Sequence, residues 1–374
     1  MKVLQICSFF CGSKVHSNLY KELDALGVEQ TVFACTINDA QEMPNKFAAE
    51  HTDFVYKNIM RPIDSVLYHR KISKSYRELL KSVNPSDYEL SSAVTLFSDG
   101  AVAYRLYEDF KIPYIVTVRN TDINTFLTYA PHTWLTALKV LRNARKIVFI
   151  SKALEEKFCN NLVIRHILPE IRNKFLLQPN GIDTYWVDNV RRVENAPSHD
   201  IIYVGKFNRN KNVIRLAKAV LSLKKVYPDI HLHLVGGDGE CEKKILRMCK
   251  ENSISLTCHG KIFDKAELLA LYRKCTLFAM PSIFETFGLV YLEALSQNLP
   301  VVYTKGQGID GMFDETVGVA VSPTSTEDIQ QAIKQIFDHR EHYSNAAVDF
   351  NRFQWRDIAR HYEELYQAVL QNES

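Results

Sequence analysis

Long apolar runs are absent from this sequence. No stretch of its 374 residues holds roughly 18 consecutive apolar side chains, the length that a membrane-spanning helix needs. The first apolar segment, residues 2–10, is short, contains Gln5 and lacks a small-residue cleavage site, which favours a first β-strand over a signal peptide. We therefore expect a cytoplasmic protein without a membrane span.

Paired metal-binding motifs are absent as well. The eight cysteines form no Cys-x-x-Cys pair, no His-x-x-x-His accompanies them, and no Asp-x-Asp occurs. The first two absences argue against a zinc site and a disulfide framework. Without an Asp-x-Asp motif the chain lacks the carboxylate pair that commonly holds Mg²⁺ or Mn²⁺, so no metal is expected.

Glycine is scarce, at 14 residues. Gly12, which follows the first predicted strand, and the run Gly236-Gly237-Asp238-Gly239 both lack the G-x-G-x-x-G spacing of dinucleotide-binding loops, so a nicotinamide cofactor is not expected. The net charge is only +3 and no zinc or RNA-binding signature is present. Nucleic acid is therefore not an expected partner.

The chain is long enough for two domains of about 180 residues each. Apolar strand-like runs alternate with helical patterns, which predicts parallel sheets with crossover helices. The predicted strands cover residues 3–9, 30–34, 112–118, 146–150, 201–204, 231–235, 255–258, 276–280 and 301–303. A last amphipathic helix is predicted over 353–370.

Two glutamates eight residues apart are the most informative feature. Glu285 and Glu293 enclose Phe287-Gly288-Leu289 and follow an apolar segment. The pattern predicts a turn at Gly288 and a helix over 289–296 whose first turn is free of proline and charge. At about 1.5 Å per residue the two carboxylates would lie roughly 12 Å apart, which is about the span of a nucleoside diphosphate sugar.

A free helix N-terminus carries N–H groups that would stabilise a diphosphate. The two carboxylates would then accept hydrogen bonds from hydroxyls of the donor sugar and the ribose. The spacing alone equally allows an ordinary amphipathic helix with two solvated acids.

Five segments together resemble one known family. Glu285 and Glu293 look like the E-x7-E motif of retaining glycosyltransferases of family 4. Residues 204–211, Val-Gly-Lys-Phe-Asn-Arg-Asn-Lys, resemble the family's VGR-L-x-x-x-K loop, and residues 179–183 resemble its PNGID segment. Residues 150–152 and 298–302 are similar to two further strand ends of the family.

The resemblance implies an α/β fold of the GT-B type, in which two Rossmann-like domains face each other across a cleft and a C-terminal helix crosses back to the N-terminal domain. The implied division is an acceptor-side domain over 1–187, a nucleotide-sugar domain over 188–352 and the returning helix over 353–374. It also implies a metal-independent hexosyltransferase that retains configuration without a dedicated nucleophile.

The resemblance also assigns donor-binding roles, to Gly12, Ser13, Arg119, Lys206, Lys211, Ile262, Glu285, Thr286, Phe287, Gly288, Leu289 and Glu293. Glu285, Lys206 and Lys211 are the expected catalytic residues. Glu285 would orient sugar hydroxyls, and the two lysines would stabilise the leaving diphosphate. The alternatives are two ordinary exposed lysines and, for Gly12, a simple turn.

Two positions depart from the family's pattern. Lys206 stands where the family usually has arginine, so a bidentate contact is lost there. Arg119 stands where many members have histidine, which would rule out a role for an imidazole at that position. Arg119 would either line the cleft or form a structural ion pair with Asp122.

A basic stripe marks the helical pattern around residues 70–83. Arg70, Lys74, Arg77 and Lys81 recur on one face. Such a stripe could attract the anionic cytoplasmic face of a membrane or a lipid pyrophosphate acceptor, although an ordinary solvated helix face has the same pattern.

The expected function is transfer of a hexose-type sugar from a nucleotide diphosphate sugar, with UDP favoured, to a glycan or lipid-linked saccharide in surface polysaccharide or glycolipid biosynthesis. One alternative is a sugar-nucleotide epimerase or hydrolase on the same fold. Another is a non-catalytic nucleotide-sugar-binding scaffold, which would bind without turnover.

Overall fold

The computed structural model describes residues 1–36, 43, 45–193 and 198–371. The chain forms two compact units. The first contains residues 1–150, 154–181 and the segment from Arg352 onward, and the second contains residues 151–153 and 182–351. The sequence predicts domain boundaries after residues 187 and 352, and these boundaries remain predictions.

The first unit is built on a seven-stranded parallel sheet with the order β3-β2-β1-β4-β5-β6-β7. Its central strands are buried on both faces, as expected for a parallel sheet covered by helices. The strands are β1 (Lys2–Ile6), β2 (Glu29–Cys35), β3 (Thr52–Lys57), β4 (Leu90–Ala93), β5 (Tyr114–Val118), β6 (Lys146–Phe149) and β7 (Phe175–Leu177).

The second unit has a six-stranded parallel sheet with the order β10-β9-β8-β11-β12-β13. Both units thus show the predicted parallel α/β architecture. The strands are β8 (Asp200–Lys206), β9 (His231–Gly237), β10 (Leu256–Gly260), β11 (Leu277–Ala279), β12 (Val301–Thr304) and β13 (Gly318–Val321).

Helices connect the strands in both units. Those up to the start of β8 are α1 (Lys14–Ala25), α2 (Tyr68–Ser82), α3 (Asp99–Phe110), α4 (Trp134–Asn143), α5 (Lys152–Asn160), α6 (Leu162–Arg165), α7 (Leu168–Ile171) and α8 (Thr184–Asp188). Those after it are α9 (Val213–Leu223), α10 (Glu242–Glu251), α11 (Lys265–Lys274), α12 (Leu289–Ser296), α13 (Thr326–Asp338) and α14 (Trp355–Gln371). The predicted bounds of α12 are confirmed, and those of α14 differ by one or two residues.

Strand order reverses direction at one point in each sheet. In the first unit β1 lies between β2 and β4, and in the second β8 lies between β9 and β11. Ligands of open parallel sheets bind beyond the carboxyl ends of the strands at such a reversal. The loops that follow β1, β4, β8 and β11 are therefore where the fold favours binding.

The C-terminal helix α14 completes the core of the first unit. Its buried side chains, including Ile358, Tyr362 and Tyr366, join one apolar cluster with residues of β1 and α1. The Tyr366 hydroxyl accepts a hydrogen bond from the buried Gln5 amide at 3.1 Å. Gly181 is required beside this helix, because a Cβ there would lie 2.6 Å from the Trp355 ring.

Within the described ranges, no helix is both long and apolar enough to cross a membrane.

Candidate functional site

The ion pair between Lys211 and Glu285 is the centre of the candidate site in the second unit. The Lys211 Nζ lies 2.5 Å from the Glu285 Oε2, and the two side chains are 24% and 11% exposed. Lys211 belongs to the loop after β8 and Glu285 to the loop after β11. These are the neighbouring strands at which the order of the sheet reverses, so the fold itself brings the predicted pair together.

An asparagine holds the two loops in register. The Asn210 side-chain amide donates to the Phe284 carbonyl at 2.9 Å, and its Oδ1 accepts the Phe284 N–H at 3.0 Å. The Asn210 carbonyl also accepts the Ile283 N–H at 2.7 Å. Sequence reasoning missed Asn210, although an amide side chain next to a site lysine can both donate to and accept from a facing backbone.

The loop after β12 supports the Glu285 backbone and side chain. Gly308 donates its N–H to the Glu285 carbonyl at 3.1 Å, and the Gln307 Oε1 accepts the Glu285 N–H at 3.3 Å. Gly308 has φ +57°, and a Cβ there would lie 2.9 Å from the Phe287 carbonyl oxygen and 3.0 Å from the Glu285 Cγ. This support was also missed, because nothing in the motif points to a third loop.

The N-terminus of α12 lies immediately after Glu285. Gly288 precedes the helix with φ +81°, and no side chain caps it. A Cβ at Gly288 would lie 2.5 Å from Tyr291 ring atoms, so the close packing depends on glycine. The helix therefore offers N–H groups and partial positive charge next to the Lys211–Glu285 pair, which suits an anion.

The other predicted residues of this motif have structural contacts. Thr286 accepts a hydrogen bond from the Ser151 hydroxyl through its carbonyl at 3.0 Å. Phe287 is buried, and Leu289 is half-buried as the first residue of α12. Phe287 anchors the turn before the helix, which fixes the direction of the helix N-terminus.

Glu293 lies in the second turn of α12 and is half-buried. Burial and the nearby Asp183 raise its pKa to about 7, while the Tyr272 hydroxyl and Lys265 act in the other direction. The Tyr272 hydroxyl lies 3.5 Å from the Glu293 Oε2. Glu293 is therefore an acid whose charge changes near neutral pH, unlike the solvated carboxylate of an ordinary helix face.

Lys206 and Ile262 lie at the ends of their strands. Lys206 is the last residue of β8 and is exposed, and its carbonyl accepts the Tyr203 hydroxyl at 2.7 Å. Ile262 is half-buried in the segment after β10. Both belong to the strand-end edge of the second sheet.

The predicted residues of the first unit lie at its own strand reversal. Ser13 caps the N-terminus of α1 by accepting the Val15 N–H at 3.3 Å. A Cβ at Gly12 would meet nothing within 4 Å, so space does not demand glycine there. Gly12 and Ser13 therefore have adequate local explanations as a turn and a helix cap.

Arg119 does not form the alternative ion pair with Asp122. The Asp122 carboxylate accepts the backbone N–H of Arg119 at 2.8 Å, whereas the guanidinium Nε donates to the Val94 carbonyl at 3.2 Å. Burial raises the pKa of Asp122 to about 6. The backbone N–H groups of Leu96 and Phe97 also bind it, so Asp122 organises the backbone around Arg119.

A histidine that sequence reasoning missed lies near Arg119. His16, in the first turn of α1, is buried. Burial and the charge of Arg119 lower its pKa to about 3. A neutral imidazole is thus present at this strand reversal, although Arg119 occupies the position where the family has histidine.

The predicted basic stripe on α2 is partly neutralised. Arg70 and Lys74 both pair with the buried Asp64, at 3.0 and 3.1 Å. Lys81 pairs with Glu78 at 3.6 Å, and the Arg77 Nε donates to the Ser73 carbonyl at 3.3 Å. The stripe exists, but acids within the protein already balance much of its charge.

Comparison with known proteins finds a family model that matches most of the second unit. Residues 188–348 match the family model of glycosyl transferases group 1. The glycogen synthase of Mycobacterium tuberculosis is 26% identical over 201 residues, which are 52% of this chain and 48% of that protein. The chain thus spans about half the length of that relative. These matches confirm the resemblance to glycosyltransferases of the family 4 type.

Solved structures with the same fold cover nearly the whole chain. Sucrose-phosphate synthase of Thermosynechococcus elongatus superposes with a TM-score of 0.73 at 19% identity and covers 100% of both chains. HepE of Anabaena, solved in complex with UDP, has a TM-score of 0.70 at 17% identity and covers 98% of this chain and 100% of its own. The predicted GT-B fold class is thereby confirmed.

We expect Gly308→Ala to destabilise the protein more than Gly306→Ala does. Both glycines have positive φ, at +57° and +69°, so alanine is strained at each, but a Cβ at Gly306 meets no atom within 4 Å. Crowding against Glu285 should add about 1–3 kcal/mol at position 308 alone. Urea unfolding of both variants measures the difference, and equal losses would show that Gly308 does not support Glu285.

Proposed function

We propose that this chain, whose residues 188–348 match the family model of glycosyl transferases group 1, is a metal-independent, retaining hexosyltransferase. It moves a hexose-type sugar from a UDP-sugar to a glycan or lipid-linked saccharide in surface polysaccharide or glycolipid biosynthesis. The observation that carries the proposal is the Lys211–Glu285 pair beside the uncapped N-terminus of α12.

Each partner of the pair has capacity left for a substrate. The Glu285 Oε2 accepts from Lys211 and its Oε1 from the Thr286 N–H at 3.1 Å. A carboxylate has roughly four acceptor positions, so it can still accept from donor-sugar hydroxyls. An ammonium has three N–H groups, and Lys211 can therefore hold Glu285 and a phosphate oxygen together.

The leaving diphosphate gains negative charge as the bond from the sugar C1 to the phosphate oxygen breaks. Lys211, Lys206 and the α12 N–H groups stabilise that charge in fixed positions. The acceptor hydroxyl oxygen attacks C1 from the face that the diphosphate leaves, and its proton passes to the departing phosphate oxygen. Glu285 orients the sugar hydroxyls in this scheme and does not act as a base.

The choice of uridine is supported by the relatives. HepE, which shares the fold over 98% of this chain, was solved in complex with UDP. The relatives named as a glycogen synthase and a sucrose-phosphate synthase make saccharide products, which supports a saccharide acceptor. On the first unit, the Arg119 guanidinium offers N–H donors to either substrate.

Contact with the anionic face of a membrane stays a hypothesis for the α2 stripe. Asp64 already pairs with Arg70 and Lys74, which leaves Arg77 as the stripe residue without a carboxylate within ion-pair distance in the described ranges.

The alternatives differ in their products. An epimerase or hydrolase would convert UDP-sugar without an acceptor, and a scaffold would bind UDP without turnover. A thermal-shift screen with UDP, GDP, ADP and their common sugars, followed by a transfer assay across saccharide acceptors, separates the three. Transfer that needs an acceptor supports the proposal.

We expect Glu285→Gln to lower kcat by about two orders of magnitude, because preorganised groups at a reacting centre commonly contribute that much. Lys211→Gln should weaken UDP binding about tenfold, which is about 1.4 kcal/mol. Transfer kinetics and calorimetry measure the two effects.

Matched controls lie on exposed helix surfaces of the same unit. Glu267→Gln on α11 and Lys218→Gln on α9 remove the same charges from exposed positions and should leave both quantities unchanged. Wild-type activity in Glu285→Gln, or wild-type UDP affinity in Lys211→Gln, would remove that residue from the site.

UDP affinity should rise with pH between about 6 and 8. The pKa of Glu293 is raised to about 7, so its carboxylate, which accepts ribose hydroxyls better than the acid does, forms as the pH passes that value. Glu293→Gln should flatten the dependence. Calorimetry at several pH values checks this, and an identical pH profile in the variant would exclude Glu293 from nucleotide binding.

Chelation by EDTA should leave the initial transfer rate within about twofold of the untreated rate, since lysines and a helix N-terminus supply the positive charge. The measurement compares the EDTA-treated enzyme with the same enzyme resupplied with Mg²⁺ or Mn²⁺. A rate lost with EDTA and restored by either ion would refute metal independence.

A further inference from the structure

A histidine network lies on one face of the second sheet, next to the edge strand β10. It consists of His231 and His233 on β9 and His259 on β10. The ring centroids of His231 and His233 are 4.7 Å apart, and those of His233 and His259 are 5.2 Å apart. None of the three belongs to the donor motifs, so the network needs an explanation of its own.

A β-bulge directs His259 towards its neighbour. The register between β9 and β10 shifts between Cys258 and Gly260, so His259 is the extra residue without an opposite partner. A bulge bends its strand and redirects a side chain. The His259 Nε2 lies 3.0 Å from the His233 Nδ1, although His259 is exposed and His233 is only 4% exposed.

The hydrogen bond between His233 and His259 limits how many protons the network can hold. The Asp200 carboxylate only accepts, so the His233 Nε2 donates to the Asp200 Oδ1 at 3.0 Å. The Nδ1 of a neutral His233 then accepts from the His259 Nε2. In an imidazolium both nitrogens carry hydrogen. If both rings were charged, two N–H donors would therefore face each other across 3.0 Å.

His231 also uses both of its ring nitrogens. The Nδ1 lies 2.9 Å from the Ile254 carbonyl oxygen, and the Nε2 lies 2.8 Å from the Thr257 hydroxyl. A carbonyl only accepts, so a neutral ring donates to Ile254 and accepts from Thr257. These two hydrogen bonds connect β9 to β10 and to the turn that precedes β10.

Two charged groups face the histidine network in the part of the chain that the structure describes. Asp200 comes from β8 and Lys274 from the end of α11. The nearby Cys275 thiol is buried, which raises its pKa, so it stays uncharged. One carboxylate and one ammonium balance each other, and each proton that the rings take up adds positive charge beside them.

The pKa values of two of the rings follow from this environment. Burial, His233 and Lys274 lower the pKa of His259. Burial and the same two groups lower the pKa of His231, although the nearby carboxylate and carbonyl oppose this. A histidine with a lowered pKa in the fold stabilises it above about pH 6.5, the pKa of an unfolded histidine. That contribution is lost as the pH falls below this value.

We infer that the histidine network is a pH-sensitive switch that controls the opening of the edge strand β10. At neutral pH the rings hold β9 against the bulged strand. In acid the rings take up protons, His233 and His259 repel each other, and β10 opens locally. Because Ile262 follows β10, the opening also displaces a predicted donor-binding residue. The switch does not rest on the proposed function, since the strand opens whether or not a nucleotide binds.

Hydrogen exchange followed by mass spectrometry tests the switch on the full chain without nucleotide. Between about pH 7.5 and about pH 5.5, after correction for the intrinsic exchange rate, the protection of residues 256–260 should fall about threefold or more. In the double variant His231→Gln/His259→Gln it should fall less than about twofold, because glutamine offers a donor and an acceptor but takes up no proton.

Two controls separate the network from general effects of acid. His339→Gln removes an exposed histidine after α13 and should keep the pH dependence of the parent. Strands β12 and β13 lie at the opposite end of the same sheet and contain no histidine, so their protection should change little.

Protection of β10 that does not change with pH in the parent overturns the inference, as does an equal loss of protection in the double variant. Urea unfolding at about pH 7.5 verifies the fold of each variant. His259→Gln alone replaces the double variant if that one does not fold, because His259 is exposed.

Discussion

The candidate site depends on one constraint, the fixed approach of the loop after β8 to the loop after β11. The sheet places the two strands side by side. Three hydrogen bonds between Asn210 and residues 283–284, and one from the Asn212 amide to the Pro281 carbonyl at 3.0 Å, keep the loops aligned. The Lys211–Glu285 pair then forms at the ends of those loops. A partly buried ion pair contributes little net stability, so its value here lies in placing a cation and an anion within one substrate's reach.

The second unit was more predictable than the first. Helix α12 followed from local signals, namely an apolar strand and a glycine turn. The family's motifs placed Lys211 and Glu285 in one site, but their ion pair was not predicted. The strands missed by sequence reasoning have physical reasons. Strand β4 reads Leu-Ser-Ser-Ala, and its serines are buried in the middle of the sheet, where an apolar pattern cannot reveal it. Strand β7 has only three residues, and β3 and β13, which were also missed, are edge strands.

The sequence also could not show which side chains pair with each other. The stripe of Arg70 and Lys74 is visible in the helix period, but the single buried Asp64 that pairs with both comes from the preceding turn. Likewise, the sequence offered Asp122 as a partner for the Arg119 guanidinium, whereas the carboxylate binds backbone N–H groups. Periodicity shows which residues share a face, and contacts between elements decide which charges remain available to a ligand.

The path of the chain through the two units has a consequence for biosynthesis. The second unit is nearly continuous, from 182 to 351, whereas the first needs the segment from Arg352 onward to cover its core. During synthesis the N-terminal end of a polypeptide leaves the ribosome first. The first unit therefore begins before the second, but its core is completed only after the second unit has been synthesised. Until α14 has been synthesised, the apolar surfaces of β1 and α1 that it covers stay exposed to solvent. A stop codon before residue 352 would leave these surfaces exposed permanently.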